Sequence, residues 1–178
     1  MEVKIYVAGR ICSGKSTLAK RIAEHTNYPL ISFGGILKNH LAKSDLPVTR
    51  ESLQRIGQEL IDQLGYEGFL RWSIEHSPEI QWDSPLIVDG LRHGVIYDHL
   101  IERFPRSFLV YCACDPKTQL ERLMARDQIN EECAQRILSH ETELHVSELE
   151  SQANLVFRPE DHIENFLARL DVFIEQRR

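Results

Sequence analysis

The chain has 178 residues, of which 42% are apolar and 27% charged, with a formal net charge of −6. That size fits one compact domain able to bury a core without disulfides or structural metal. The acidic balance argues against a nucleic-acid backbone or an anionic membrane surface as the main partner. Cys12, Cys112, Cys114 and Cys133 follow no leader-like apolar stretch, and no segment reaches membrane-spanning length, so reduced thiols in a cytoplasm are expected. Cys112-Ala113-Cys114 falls in an apolar run, where both thiols read as small fillers on one strand face. No second Cys/His pair stands at ligand spacing.

In chain order, the apolar run Val3–Ala8 predicts a buried strand. It flows into Gly9, and five residues later come Gly14, Lys15 and Ser16, the pattern Gly-x-x-x-x-Gly-Lys-Ser. Leu18 and Ile22 then share one face of a helix. This is the phosphate-binding loop. Its glycines let successive N–H groups turn toward phosphate oxygens, and the helix start adds its positive dipole end. Lys15 would reach the β- and γ-phosphates and Ser16 would ligate Mg²⁺, with Ser13 and Thr17 completing the cradle. ATP and Mg²⁺ are the expected cofactors. No Gly-x-Gly-x-x-Gly is present there, which sets aside a dinucleotide loop.

Further along, Tyr28–Ser32 is a weaker strand. Leu53, Ile56, Leu60, Ile61 and Leu64 keep helical spacing, with Gly65 as the closing residue. Leu86–Val88 follows Pro85 and ends at Asp89-Gly90. Phe108–Cys114 is a fourth strand, followed by Asp115 as N-cap and Pro116 at the first helical position. Ala153–Phe157 is the last strand, and Ile163 to Ile174 the last helix. Such alternation predicts an α/β domain spanning residues 1–178, a parallel sheet with helices on both faces.

Three stretches carry a resemblance to P-loop nucleoside and deoxynucleoside monophosphate kinases. "PLISFGGILKNHL" (29–41) is similar to the segment after the second strand of adenylate kinases: Ile31, Ser32, Gly34, Leu37 and Lys38 match, while Phe33 and Gly35 replace the usual Thr and Asp. "LIVDGLRHG" (86–94) resembles the third strand, with Asp89 at the Mg²⁺-holding position and Arg92 near the family's arginine. Arg50, Leu53, Gln54 and Gly57 match an acceptor-site helix of viral deoxynucleoside monophosphate kinases. "QLERLMARDQINEECAQRI" (119–137) resembles the lid region of dephospho-CoA kinases, where Arg122, Arg126 and Arg136 would close over the phosphates and Asn130 would cap a short helix. The resemblance implies a five-stranded sheet in the order 2-3-1-4-5, a helical acceptor region near 33–80 and a short lid near 122–147. It assigns catalytic roles to Lys15, Asp89, Arg122, Arg126 and Arg136, metal binding to Ser16 and Asp89, and acceptor contacts to Ser32, Phe33, Lys38, Arg50, Gln54 and Arg92.

The acceptor itself is argued from chemistry. A hydroxyl acceptor needs a base, yet residues 32–35 read Ser-Phe-Gly-Gly and Asp89 is needed near Mg²⁺. A nucleotide phosphate, with a second pKa of about 6, needs cationic clamps instead, and Lys38, Arg50 and Arg92 are candidates. Gln54, Gln58, Tyr66 and Trp72 either line a base pocket or pack. A small-molecule nucleotide acceptor is therefore expected. Dephospho-CoA or another alcohol as acceptor, or a non-catalytic ATP sensor, remain the alternatives. Blander readings of the side chains are solvated charges for Lys38 and Arg50, a turn former for Asp89, and ion pairs with Glu121 or Asp127 for the lid arginines.

Overall fold

The computed structural model describes residues 3–44, 46–139 and 141–177; the side chains of residues 50, 51, 141, 142 and 144 lie outside that description. Five parallel strands, β1 (Lys4–Ala8), β2 (Leu30–Ser32), β3 (Leu86–Leu91), β4 (Ser107–Cys112) and β5 (Leu155–Phe157), form one sheet in the order β2-β3-β1-β4-β5. This is the order the resemblance implies. The first strand is central, and all five of its residues are buried. A strand covered on both faces can be apolar throughout, which is why the run Ile5-Tyr6-Val7-Ala8 is legible as one.

Alternation along β1 separates two cores. Ile5 and Val7 point to the side covered by α1 (Lys15–Thr26) and α8 (Ile163–Glu175), where Leu18, Ile22, Phe166 and Leu170 are buried with them. Tyr6 and Ala8 point to the other side. There α2 (Phe33–Lys43), α3 (Arg50–Glu75) and α4 (Gly94–Arg103) supply Ile36, Leu60, Phe69 and Leu100. Each fully buried aliphatic side chain in these layers contributes about 1.5–3 kcal/mol.

Beyond β4 the chain forms α5 (Pro116–Asp127), α6 (Glu131–Leu138) and α7 (Glu141–Gln152). Their starts are written locally. Asp115 accepts from the Thr118 N–H at 2.8 Å, and Asn130 from the Cys133 N–H at 2.9 Å. Such caps contribute about 1 kcal/mol each. A third, small core gathers Ile11, Leu123 and Ala134, so the loop after β1 is roofed by α5 and α6.

Several elements differ from the sequence expectation. The strand expected over 108–114 stops at Cys112, because Asp115 and Pro116 already begin the next helix. That leaves Cys114 beyond the strand, partly exposed, rather than beside Cys112 on a strand face. Beyond Asp89-Gly90, β3 runs on to Leu91: Val7 pairs with Asp89 and Ala8 with Leu91, so Gly90 is the extra residue of a bulge. Gly65 does break the helix, at φ 70, ψ 174, but α3 resumes at once and runs on to Glu75. A left-handed glycine ends one run of hydrogen bonds without preventing the next segment from packing. Two helices, α4 and α7, escaped the sequence reading. The buried face of α7 carries Glu143 beside Val146 and Leu149, and an acidic residue among core positions hides the apolar period.

Candidate functional site

The loop from Gly9 to Ser16 connects β1 to α1 at the carboxyl edge of the sheet. Gly9 adopts φ +153, and a Cβ there would meet the Cys112 carbonyl oxygen and the Ser13 Oγ, each at 2.7 Å. Only glycine lets the loop leave the central strand so tightly. Cys12 is left-handed at φ 59, and Ser13 donates its N–H to the Arg10 carbonyl at 3.2 Å. The Ser13 hydroxyl is buried without a hydrogen-bond partner among the described residues. Gly14 then caps α1 with no side-chain bond, which leaves the first N–H groups of the helix facing the loop.

The loop is gripped from outside. The Ile11 N–H donates to Glu143 Oε2 at 2.8 Å, and the Ile11 carbonyl accepts from Gln119 Nε2 at 2.7 Å. Gln119 and Glu143 are each 1% exposed. Arg10 donates to the Leu138 carbonyl at 2.8 Å. Three helices that are remote in sequence thus hold a loop whose own residues make few bonds.

A groove of about 920 Å³ opens over this loop, from Ser13, Lys15, Ser16 and Thr17 past Arg122 and Arg126 to Phe157, Pro159 and Ile163. Arg122 Nη1 lies 3.4 Å from the Cys12 carbonyl and 3.9 Å from the Cys114 Sγ. Arg126 is paired with Asp127 at 2.6 Å, the pairing the blander reading allowed, while still lining the groove. Arg136 is not brought there: it is exposed on α6 and bonded to Glu132 at 2.7 Å. Cys112 is buried at the groove floor, where burial pushes its thiol up to about 11, and its Sγ lies 3.4 Å from the Ser13 carbonyl.

At the floor, Ser16 Oγ donates to Asp89 Oδ2 at 2.7 Å. Asp89 Oδ1 is buried and has no hydrogen-bond partner among the described residues. A hydroxyl beside a carboxylate with an orphaned oxygen is a hard-oxygen donor set, and it fits Mg²⁺. Lys15 has its pKa lowered, first by burial and then by the Arg92 charge, against the opposing pull of Asp89 and Glu143. A lysine so placed gains from an incoming anion, which would stabilise its charged form.

A second cavity, of about 380 Å³, is walled by Phe33, Leu37, Leu53, Ile61, Phe69 and Ile96, with Gln54, Arg55, Gln58, Arg92 and His93 as its polar groups. No carboxylate is among the described lining residues. Arg92 donates Nη1–H to Glu143 Oε1 at 2.9 Å. His93 has its pKa lowered to about 4, by burial and then by the neighbouring His145 and Arg92 charges. Its ring lies between Tyr66 at 5.3 Å and His145 at 5.9 Å.

Of the acceptor residues expected from sequence, Phe33, Gln54, Gln58 and Arg92 line this cavity. Lys38 does not: it is exposed on α2. The Ser32 hydroxyl is occupied as the α2 N-cap, accepting from the Gly35 N–H at 2.9 Å. The Arg50 side chain lies outside the described residues. Trp72 packs instead, stacked 4.1 Å from the His76 ring, and Tyr66 backs His93. Sequence reasoning missed Arg55, His93, Gln119 and Glu143. Arg55 and His93 directly follow residues already singled out, Gln54 and Arg92; nothing local marks Gln119 or Glu143.

Residues 5–143 match the family model AAA_18, an AAA domain. The chain is 27% identical over 125 residues to a UPF0200 protein of Thermococcus onnurineus, covering 68% of this chain and 67% of that one. It is 26% identical over 165 residues to a dephospho-CoA kinase of Prochlorococcus marinus, covering 76% and 78% of the two chains. A shikimate kinase structure from Bacteroides thetaiotaomicron matches with a TM-score of 0.56 and 20% identity over 97% of this chain and 98% of that one. The last likeness is one of fold: a P-loop kinase architecture. Among the described residues no helix is long and apolar enough to cross a membrane.

Proposed function

The chain belongs to the AAA_18 family of AAA domains, and from that premise we propose that it is an ATP-dependent small-molecule kinase transferring the γ-phosphoryl group to the phosphate of a nucleoside or deoxynucleoside monophosphate. The observation that carries this reading is the lining of the second cavity: among the described residues it has apolar walls, two amides, two arginines and a histidine, and no carboxylate. Apolar walls with Gln54 and Gln58 suit a flat heterocycle edged with donors and acceptors. Arg92 suits a phosphate, which its fork can bind at two points. An acceptor phosphate is already ionised at neutral pH and asks for no base.

In this scheme the triphosphate lies along the 9–16 loop, with loop N–H groups and Lys15 on its phosphates. Ser16 and Asp89 would hold Mg²⁺, which when bound would supply positive charge to offset that of the phosphates. Arg92 holds the acceptor phosphate at the seam between groove and cavity. Arg122 and Arg126 stand over the groove, where they would offset charge developing on the phosphoryl group in flight. On that side α5, which carries Arg122 and Arg126 along the groove, would limit the access of water.

A hydroxyl acceptor is the second reading, supported by the likeness to a dephospho-CoA kinase. His93 is an imidazole of the cavity wall, and with its pKa lowered to about 4 it is a weak base at neutral pH. The test is a coupled ADP assay on purified protein with Mg²⁺, ATP and a panel of nucleoside and deoxynucleoside monophosphates, dephospho-CoA and small alcohols. The proposal requires faster turnover with at least one monophosphate than with any alcohol. Turnover on alcohols alone overturns it, and tight ATP binding without turnover on any acceptor leaves a sensor.

A further inference from the structure

We infer that Glu143 is a positioning residue that holds the phosphate loop and the acceptor-side arginine in one register. The inference rests on the proposed phosphotransfer for its consequence, but its geometry does not. Glu143 is 1% exposed, on a helix otherwise rich in polar residues. Its two oxygens serve different halves of the molecule: Oε2 accepts from the Ile11 N–H at 2.8 Å, and Oε1 accepts from Arg92 Nη1 at 2.9 Å. A buried carboxylate is costly unless both oxygens are bonded. Here the satisfying partners are a main-chain group of the donor loop and a cation of the acceptor cavity.

The consequence follows from the shape of a guanidinium. It carries five N–H groups in one plane. The single bond from Nη1 to Glu143 tethers that plane and leaves the other N–H groups able to take a phosphate oxygen pair. Arg92 lines the acceptor cavity, and its charge is felt by Lys15. Glu143 therefore sets where the acceptor phosphate sits relative to the loop. An arginine free to sample other rotamers would bind acceptor as often in the wrong place as in the right one, and misplacement by about 1 Å costs about 10²-fold in such reactions. Gln119 holds the carbonyl of the same Ile11 residue and adds to the grip on the loop, and among the described residues no hydrogen bond joins it to an acceptor-side group.

Three variants test this: E143Q, which keeps the size and one acceptor oxygen; E143M, which keeps the volume and removes both; and R92A. For E143Q, kcat with the best monophosphate should fall about 10–10²-fold while KM for ATP moves less than about threefold. The E143Q/R92A double variant should fall no further than R92A alone by more than about threefold, because both changes disable one device. Losses that multiply, or KM and kcat changing in parallel, would overturn the inference. Two NMR signatures on ligand-free protein need no acceptor. In the parent chain the Arg92 guanidinium should give resolved, slowly rotating N–H signals, lost in E143Q. Amide exchange at Ile11 should be at least about tenfold faster in E143M. If the parent chain transfers to no monophosphate, the proposed function fails and these two signatures still decide the clamp. If E143M does not fold, E143Q and its cycle decide it. Unchanged Arg92 signals in E143Q would overturn it.

Discussion

The groove proposed for the donor and the cavity proposed for the acceptor are linked by the Arg92 charge felt at Lys15, but are built by different means. The loop side of the groove is one contiguous stretch whose form depends on two glycines and a helix start, and Arg122, Arg126, Phe157 and Ile163 line its far side. The cavity rests on side chains from α2, α3 and the β3–α4 junction, spread over residues 33–96. Backbone donors are the same for every sequence that takes the loop conformation, so the donor half tolerates change around its fixed positions. Side-chain walls have no such insurance, and the acceptor half should be where specificity resides and where single substitutions change the substrate rather than abolish binding.

The largest expected effect tests the donor half. Lys15→Ala should lower turnover by about 10³-fold or more with the fold intact by circular dichroism and melting; normal turnover would end the phosphate-loop scheme. Next, the roof arginines should divide. Arg126→Ala should lower kcat about 10–10²-fold with a smaller change in ATP affinity, whereas Arg136→Ala, paired outward with Glu132, should change either by no more than about twofold. Equal losses of turnover and ATP affinity in the Arg126 variant would move that side chain from transfer to binding. On the acceptor side, Gln54→Leu should raise KM for the acceptor about tenfold and leave KM for ATP alone, while Lys38→Ala, exposed outside the cavity, should be silent in both. A Lys38 effect on acceptor KM would redraw the cavity.

The smallest effect is a stability one. His93 has a folded-state pKa near about 4, against about 6.5 in the unfolded chain. The unfolded state therefore binds the proton first, and stability present above about pH 6.5 is lost as pH falls toward about 4. Solvent reaching part of the ring limits this to about 1–2 kcal/mol. Urea melts at the two ends of that window should show the loss in the parent chain and a flatter profile in His93→Asn.

Legibility followed the same division. The loop was read at Gly9, Gly14, Lys15 and Ser16 because its chemistry needs particular residues at particular spacings in one stretch of chain. Asp115 and Asn130 were read as caps because capping is local. The acceptor wall was read in part: Phe33, Gln54 and Arg92 reach the cavity, but Lys38 and Arg55 exchange places, since charge on a helix says nothing of which turn faces inward. Glu143 was not read at all, because its significance depends on two partners 132 and 51 residues away.

By itself the order of residues determined the strand–helix alternation and an anion cradle after the first strand, because hydrophobic period, glycine geometry and helix starts act over a few neighbouring positions. The resemblance supplied the order of the strands. Tertiary packing decided which cations face the cavity, which roof arginine overlooks the groove, and that a buried glutamate joins the two halves. Those are matters of direction in space, and direction is set only when helices have settled against the sheet.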